Sequence, residues 1–388
     1  PGAILLFDPT NPVESRREVL FLLSRDPEVE QWDGLREPLG SELRKLTGMK
    51  TVLRTRALST VLADVTSRTK QLGTLMPLAA TNATVSEDVA LWNKVLERSP
   101  GREIVNYSGI IPKLRSVKSA AEIKTIQAAI DMTSRGFADA MACMKPGVNE
   151  FQIQATLEYG YAMEGARGSA FPPIVGGGVN STVLHYNAND QQLVSGDLVC
   201  IDSGAFHAGY GADISRTIPV SGKFTKRQKE IYEIVLRAEE AAIKAVKPGI
   251  TMGEVDSIAR AIIVKAGYGD FFIHGIGHHL GLETHDNCGP MAPLKKGAVV
   301  TIEPGIYLPD ESLGVRIEDD IAVTASGHKN LSRAIPKSVA VMAVWIAETG
   351  IGILSRAFAI PTRTSSGIRI KSHHPDFCSA GRGCLTSQ

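Results

Sequence analysis

The sequence predicts two units: an α/β unit over residues 1–112 and an α+β unit over 113–337 built as two related halves. Three observations predict this. Strand-like and helix-like segments alternate through the first unit. Short motifs recur in the second at one nearly constant offset. After Lys337 the chain loses any sustained period, so 338–388 reads as an atypical tail.

Length and composition agree with this division. The chain has 388 residues, 43% hydrophobic and 21% charged, an ordinary globular composition. At roughly 100–200 residues per domain, two domains is the natural expectation. A net charge of +1 gives no global field favouring nucleic acid or a membrane surface. No apolar run reaches the eighteen or so residues of a membrane span. The five cysteines (143, 200, 288, 378, 384) are scattered and odd in number, which fits a reduced, cytoplasmic setting. PGAILLFDP lacks a basic leading region, so no signal peptide is read there.

In order, AILLF (3–7) and VLFLL (19–23) are apolar runs bounded by Pro, Asp and Arg, and read as buried strands. SELRKL and SEDVALWNKVLERS read as amphipathic helices, each with a serine at the N-cap. Pro112 should break the element before it. Ser119 then opens a long helix whose apolar residues recur near every 3.6 positions. Met132, Met141 and Met144 on it read as core filler. Lys145-Pro146-Gly147 and Lys247-Pro248-Gly249 each open a helical stretch, 102 residues apart. GDLVCIDSG (196–204) is echoed by GAVVTIEPG (297–305), 101 residues on. A doubled pattern of this kind implies a pseudo-twofold with a site between the halves. His373-His374, in the tail, reads as solvated.

The chemistry gathers where the halves correspond. FFIHGIGHHLGLETHD (271–286) holds four of the nine histidines: His274, His278, His279 and His285. Histidine is the commonest metal ligand and proton carrier near neutral pH. Each repeated strand carries a carboxylate between an apolar run and a glycine: Asp202 and Glu303. Each returning strand carries another: Asp213 in GADISRTIPV and an acid in GVRIEDDIAV. Alternation puts Glu318 and Asp320 on one strand face, and does not choose between them. Converging buried carboxylates need a cation. Four of them with one imidazole fit two divalent ions, manganese first, with cobalt, zinc or iron possible. Paired metals generate a hydroxide near neutral pH and polarise a carbonyl or phosphoryl group.

LHYNAND, IDSGAFHAGYGADISRTIPV, HGIGHHLGLETHD and TIEPGIYLPDESLGVRIEDD together resemble the Xaa-Pro aminopeptidase (aminopeptidase P) and prolidase family, metallopeptidases of the pita-bread fold. The resemblance covers about residues 1–337. It implies a creatinase-like N-terminal domain, here starting late, and a pita-bread catalytic domain. It implies metal ligands Asp202, Asp213, His278, Glu303 and Glu318, with Asp213 and Glu318 bridging, and so selects Glu318 over Asp320. His185, His274 and His285 match substrate-side positions that contact the scissile peptide or shuttle protons, with Glu303 assisting. Tyr307 is expected to line the pocket, and Arg316 to orient Glu318 or a substrate carboxylate. His279 is expected to shape the wall, and His207 to be structural. The implied substrates are peptides with proline second, and the implied assembly is a homo-oligomer. The rivals are a prolidase limited to dipeptides, a peptide-binding module without metals, and a creatinase-like C–N hydrolase. The complete ligand set argues against the last two.

Overall fold

The computed structural model describes residues 2–76, 81–286 and 292–340. His373-His374 lies outside the described residues. The chain opens on a three-stranded sheet. β1 (Ile4–Phe7) runs antiparallel to β2 (Glu18–Leu22), and β3 (Thr51–Arg54) runs parallel to β2. β4 (Gln71–Thr74) and β5 (Glu103–Asn106) form a second, parallel pair. Parallel strands need long crossovers. Helices α1 (Pro27–Asp33) and α2 (Ser41–Thr47) lie in the β2–β3 crossover and α4 (Glu87–Leu96) in the β4–β5 crossover, while α3 (Leu58–Arg68) leads from the first sheet to the second. Leu6, Val19, Phe21, Leu62, Val65, Leu72 and Trp92 form the core of this region.

Three local expectations need correction. β1 buries one face only: Leu6 is buried opposite Val19, while Leu5 and Phe7 alternate with it, point to the other face with exposed Glu18, and stay about half exposed instead of buried. Ser41 is not a cap but already inside α2, after Gly40. Ser86 does stand at the N-cap of α4, but its hydroxyl donates to Asp88 Oδ1 at 2.7 Å, and that carboxylate rather than Ser86 accepts the Val89 amide, at 2.8 Å. Pro112 does not end an element. It sits in the first turn of α5 (Ile110–Arg115), where a missing N–H leaves no helix bond unmade.

The long helix is α6 (Ala120–Cys143). Ser119 accepts from the Glu122 amide, and Glu122 accepts from the Ser119 amide, a reciprocal cap. α7 (Glu150–Met163) packs along it. β6 (Ile174–Gly177), β7 (Leu198–Ser203) and β10 (Ile214–Pro219) form an antiparallel sheet with β7 central. A small hairpin, β8 (Phe206–His207) and β9 (Tyr210–Gly211), joins β7 to β10. The second half repeats the plan with α8 (Lys226–Ala245), α9 (Met252–Lys265), β11 (Val299–Ile302), β12 (Gly305–Leu308), β13 (Leu313–Arg316), β14 (Asp319–Val323) and β15 (His328–Asn330).

The repeat is one of geometry as well as letters. Gly147 and Gly249 have φ of 90° and 91°, Gly165 and Gly267 94° and 89°, Gly196 and Gly297 98° and 91°. These are left-handed turns that favour glycine. The amides of Gly147 and Gly249 donate to Leu193 and Leu294, both at 2.8 Å. One cluster, including Ile126, Met141, Val199, Val235, Val300 and Ile321, joins the two halves, with Met144 inside it and Met132 packed against it.

Between the halves, β10 meets the β13–β14 strand. The Glu318 amide donates to the Ser215 carbonyl at 3.1 Å, and the Arg316 amide to Thr217 Oγ1 at 3.0 Å. Arg216, with no exposed surface, donates to the carbonyls of Ser215 (2.8 Å) and Glu318 (2.6 Å) and to Asp319 Oδ1 (2.7 Å). A buried guanidinium is tolerable only when so paired. It ties together the two strands that carry the acids.

Candidate metal centre

Strand register brings the acids together. β11–β14 pairs Ile302 with Asp319, and β12–β13 pairs Gly305 with Arg316. One register runs through both, which sets Glu303 opposite Glu318. In the first half Ser203 pairs with Ile214, so Gly204 faces Asp213 and Asp202 lies diagonally from it. A Cβ on Gly204 would stand 1.7 Å from the Ala212 carbonyl oxygen, so only glycine fits there.

The histidine segment lies against β11. The Thr301 amide donates to the His278 carbonyl at 2.8 Å, the His278 amide to Thr301 Oγ1 at 3.1 Å, and the Glu303 amide to the Ile276 carbonyl at 2.8 Å. Gly277 permits this approach: its φ is 151°, and a Cβ would come within 2.2 Å of the Thr301 carbonyl oxygen.

Ligand-type atoms of Asp213, His278 and Glu318 all lie within 4.8 Å of one another. His278 Nε2 is 3.4 Å from Asp213 Oδ2 and 3.5 Å from Glu303 Oε1. His278 Nδ1 lies 3.0 Å from the His279 carbonyl, which can only accept, so Nδ1 carries the proton. Burial holds the His278 pKa down at about 4, so the ring is neutral near pH 7. Its Nε2 lone pair then faces carboxylate oxygens, acceptor against acceptor. Asp202 Oδ1 and Glu318 Oε1 are buried without a hydrogen-bond partner.

The acids are correspondingly strained in their charged form. Burial, then repulsion by Glu318, Asp202 and Glu303, raises Asp213 well above the usual carboxylate range. Burial, then Glu303 and Asp202, does the same to Glu318. Burial lifts Glu303 to about 8, with Arg316 opposing and Asp202 adding to the rise. Orphaned oxygens, a lone pair aimed at carboxylates and mutual repulsion have one remedy in common, a cation among them. Oxygen-rich donors with one imidazole suit divalent ions. The residues present fit the group.

Arg316 organises the wall. Nη2 donates to Asp202 Oδ2 at 2.7 Å, Nε to Ser215 Oγ at 2.9 Å, and Nη1 to the Tyr307 hydroxyl at 3.2 Å. Ser215 in turn donates to Glu318 Oε2 at 2.8 Å. His274 Nδ1 donates to the Gly275 carbonyl at 2.8 Å, which leaves Nε2 to accept from Tyr307 at 2.8 Å. Burial keeps His274 neutral as well, with its pKa near 4. His274, Tyr307, Arg316 and Asp202 thus form one connected chain. The His285 ring is exposed and stands edge-on to His278, centroids 4.3 Å apart. His185 is exposed on the loop between β6 and β7. The preceding carbonyl, of Leu184, accepts from Arg316 Nη2 at 3.4 Å. His279 is buried away from these carboxylates, its carbonyl rather than its ring engaged with His278. His207 is half-buried in β8.

One contributor escaped the sequence reading, and another has a different part from the one expected. Ser215 links Arg316 to Glu318, and its only sequence signal was its place opposite Asp202 in the hairpin. Asp320, read there as a competing ligand, accepts the Asp213 amide at 3.2 Å and so holds a member of the cluster by its backbone.

Residues 124–325 match the model of metallopeptidase family M24. The chain is 33% identical over 380 residues to a Xaa-Pro aminopeptidase of Haemophilus influenzae, covering 88% of this chain and 84% of that one. It is 42% identical over 241 residues to a Xaa-Pro dipeptidase of Pyrococcus furiosus, covering 61% and 69%. Among solved structures, the aminopeptidase PepP of Pseudomonas aeruginosa superposes with a TM-score of 0.79 at 31% identity, covering 90% of this chain and 86% of that one. Aminopeptidase P of Escherichia coli with the inhibitor Pro-Leu gives 0.75 at 30% identity, covering 86% and 83%. The architecture is the α/β domain plus pita-bread domain that the motifs implied. With half the chain matched by the family model and most of its length aligned to such relatives, it belongs to metallopeptidase family M24, whose divalent metal ions the acid cluster is built to accept.

Proposed function

We propose that the protein is an Xaa-Pro aminopeptidase, hydrolysing the peptide bond before proline and releasing the N-terminal residue. The observation that carries this is the neutral His278 Nε2 facing Asp213 and Glu303 across gaps of 3.4 and 3.5 Å, beside the unpartnered oxygens of Asp202 and Glu318. Asp202, Asp213, His278, Glu303 and Glu318 would hold two divalent cations, manganese first, with Asp213 and Glu318 shared. When bound, the cations polarise the scissile carbonyl and acidify a water. Glu303 takes up and returns a proton during bond cleavage, helped by histidine. His185, His274 and His285 face the peptide. The Gly275 carbonyl fixes the His274 tautomer, and the Tyr307 hydroxyl orients the ring through Nε2. The buried Arg316 guanidinium, engaged with Asp202 and through Ser215 with Glu318, supports a role in orienting ligands rather than binding a substrate carboxylate. We also propose a homo-oligomer, a division near residue 112, and a cytoplasmic setting in keeping with the free Cys143 and Cys200.

The dipeptide-restricted reading has its own support, the 42% identity over 241 residues to a Xaa-Pro dipeptidase. A peptide panel separates the two. The manganese-loaded chain should cleave a tripeptide with proline second, and should not cleave its analogue with alanine second. Cleavage of Xaa-Pro dipeptides alone would favour the second reading, and no cleavage of either would sink both.

Metal removal should destabilise the fold more at pH 8 than at pH 6.5. Glu303 in the metal-free fold has its pKa raised from 4.5 to about 8. The stability this contributes is present below 4.5 and is lost as pH rises through 8. His274 and His278 shift the other way, from 6.5 to about 4, so what they contribute is present above 6.5 and lost only as pH falls toward 4. Between 6.5 and 8 the buried acids decide the slope. Melting temperatures with and without chelator should therefore diverge as pH rises through that window. A constant gap would show that the acids carry no such strain.

A further inference from the structure

We infer that Glu150 is a positioning residue for the reaction: its carboxylate fixes the loop at 177–191 and so holds the His185 segment beside the acid cluster. The inference rests on the substrate-facing role proposed above for His185. Glu150 is the first residue of α7 and fully buried, yet Asn149 already caps that helix. The Glu150 oxygens serve the irregular chain between β6 and β7 instead. Oε1 accepts from the Gly177 amide at 2.8 Å and from Asn180 Nδ2 at 3.2 Å. Oε2 accepts from the Tyr186 hydroxyl at 2.8 Å and from the Gln191 amide at 3.0 Å. A carboxylate offers about four acceptor positions, and donors from a single loop take all of them. Backbone donors in irregular chain need such partners when buried.

The position is specific to this half. Met252, which opens α9 as Glu150 opens α7, offers no acid, so the repeated turn itself does not require one. On its other side the loop meets Arg316: Nη2 reaches the Leu184 carbonyl at 3.4 Å and Asp202 at 2.7 Å. His185 therefore sits between a contact with the site and the Tyr186 anchor to Glu150.

Glutamine is a sharp test, because the two backbone amides bind different oxygens. Asn180 can flip its amide and Tyr186 can turn its hydroxyl. The amides of Gly177 and Gln191 cannot turn, so whichever way the new side chain is placed, one of them faces an N–H. The full-length chain, loaded with manganese, is assayed on a tripeptide with proline second. Glu150→Gln should raise KM and lower kcat/KM by about 10²-fold, the cost of misplacing a contacting group by about an ångström. Metal content should match wild type, amide exchange across 177–191 should quicken, and Glu150→Asp should recover part of the loss. The double variant Glu150→Gln with His185→Ala should be no worse than His185→Ala alone. Multiplying losses in that double variant would overturn the inference, as would wild-type kcat/KM in Glu150→Gln beside an impaired His185→Ala. Unchanged kcat/KM in His185→Ala would overturn the His185 reading and this inference with it. Should Glu150→Gln not fold, Glu150→Asp carries the same comparison.

Discussion

Asp213→Asn should leave the protein without metal after dialysis and lower turnover by about 10³-fold or more, since bound metals contribute several kcal/mol and each 1.36 kcal/mol is a decade in rate. Asp213 is the acid most crowded by others, with Glu318, Asp202, Glu303 and Asp320 all raising its pKa after burial itself. Only a cation lets that carboxylate stay charged. Asparagine matches its shape, so the fold should survive, but the amide is neutral and a poor shared ligand. With one negative charge gone, the remaining acids can hold protons in place of metal. Asp320→Asn is the control on the same cluster. Its role is to accept the Asp213 amide, which an asparagine oxygen can still do. Elemental analysis should give wild-type metal for Asp320→Asn. Two metals per chain with normal turnover in Asp213→Asn would refute the ligand assignment. Metal loss in Asp320→Asn would mean that the wrong acid was taken from that strand.

That choice marks where sequence reasoning ends. The doubled acids at one offset were legible because burial, strand and glycine turn recur with them, and the matched φ values at Gly147 and Gly249 are the same signal in space. Glu318 against Asp320 was not legible, because alternation puts both on one face. What separates them is the break between β13 and β14, where Glu318 sits outside either strand and opposite Glu303. Periodicity also overstated β1. An apolar run says that a segment can be buried, and alternation decides that Leu5 and Phe7, on the face opposite buried Leu6, are not. Ser86 stands at the N-cap but makes no side-chain cap bond, because Asp88 Oδ1 accepts the Val89 amide instead. Glu150 was not singled out in the sequence at all, since an acid in the first turn of a helix is commonplace. Its four partners come from 27 to 41 residues away, which no local pattern reports.

The histidines should divide into three behaviours. His278→Ala should release metal, since the ring presents an unprotonated Nε2 beside Asp213 and Glu303 and its removal takes the only nitrogen ligand proposed. His274→Ala and His285→Ala should keep metal and lose turnover, by about 10²–10⁴-fold if proton transfer or substrate positioning is their part. The structure separates those two further. His274 is tied to Tyr307, so its loss also frees the hydroxyl that Arg316 holds, and the effect should reach Asp202. His285 is exposed and touches only the edge of His278 among the ring contacts described, so its loss should stay local. His279→Ala should change packing and stability rather than chemistry, because the backbone carbonyl of that residue, not its ring, supports His278. Metal content and kcat on a proline peptide, measured for all four, check the pattern. Equal metal loss in every variant would show that the glycine-rich segment collapses as one unit. Full activity in both His274→Ala and His285→Ala would remove the substrate-side roles and leave only the five ligands standing.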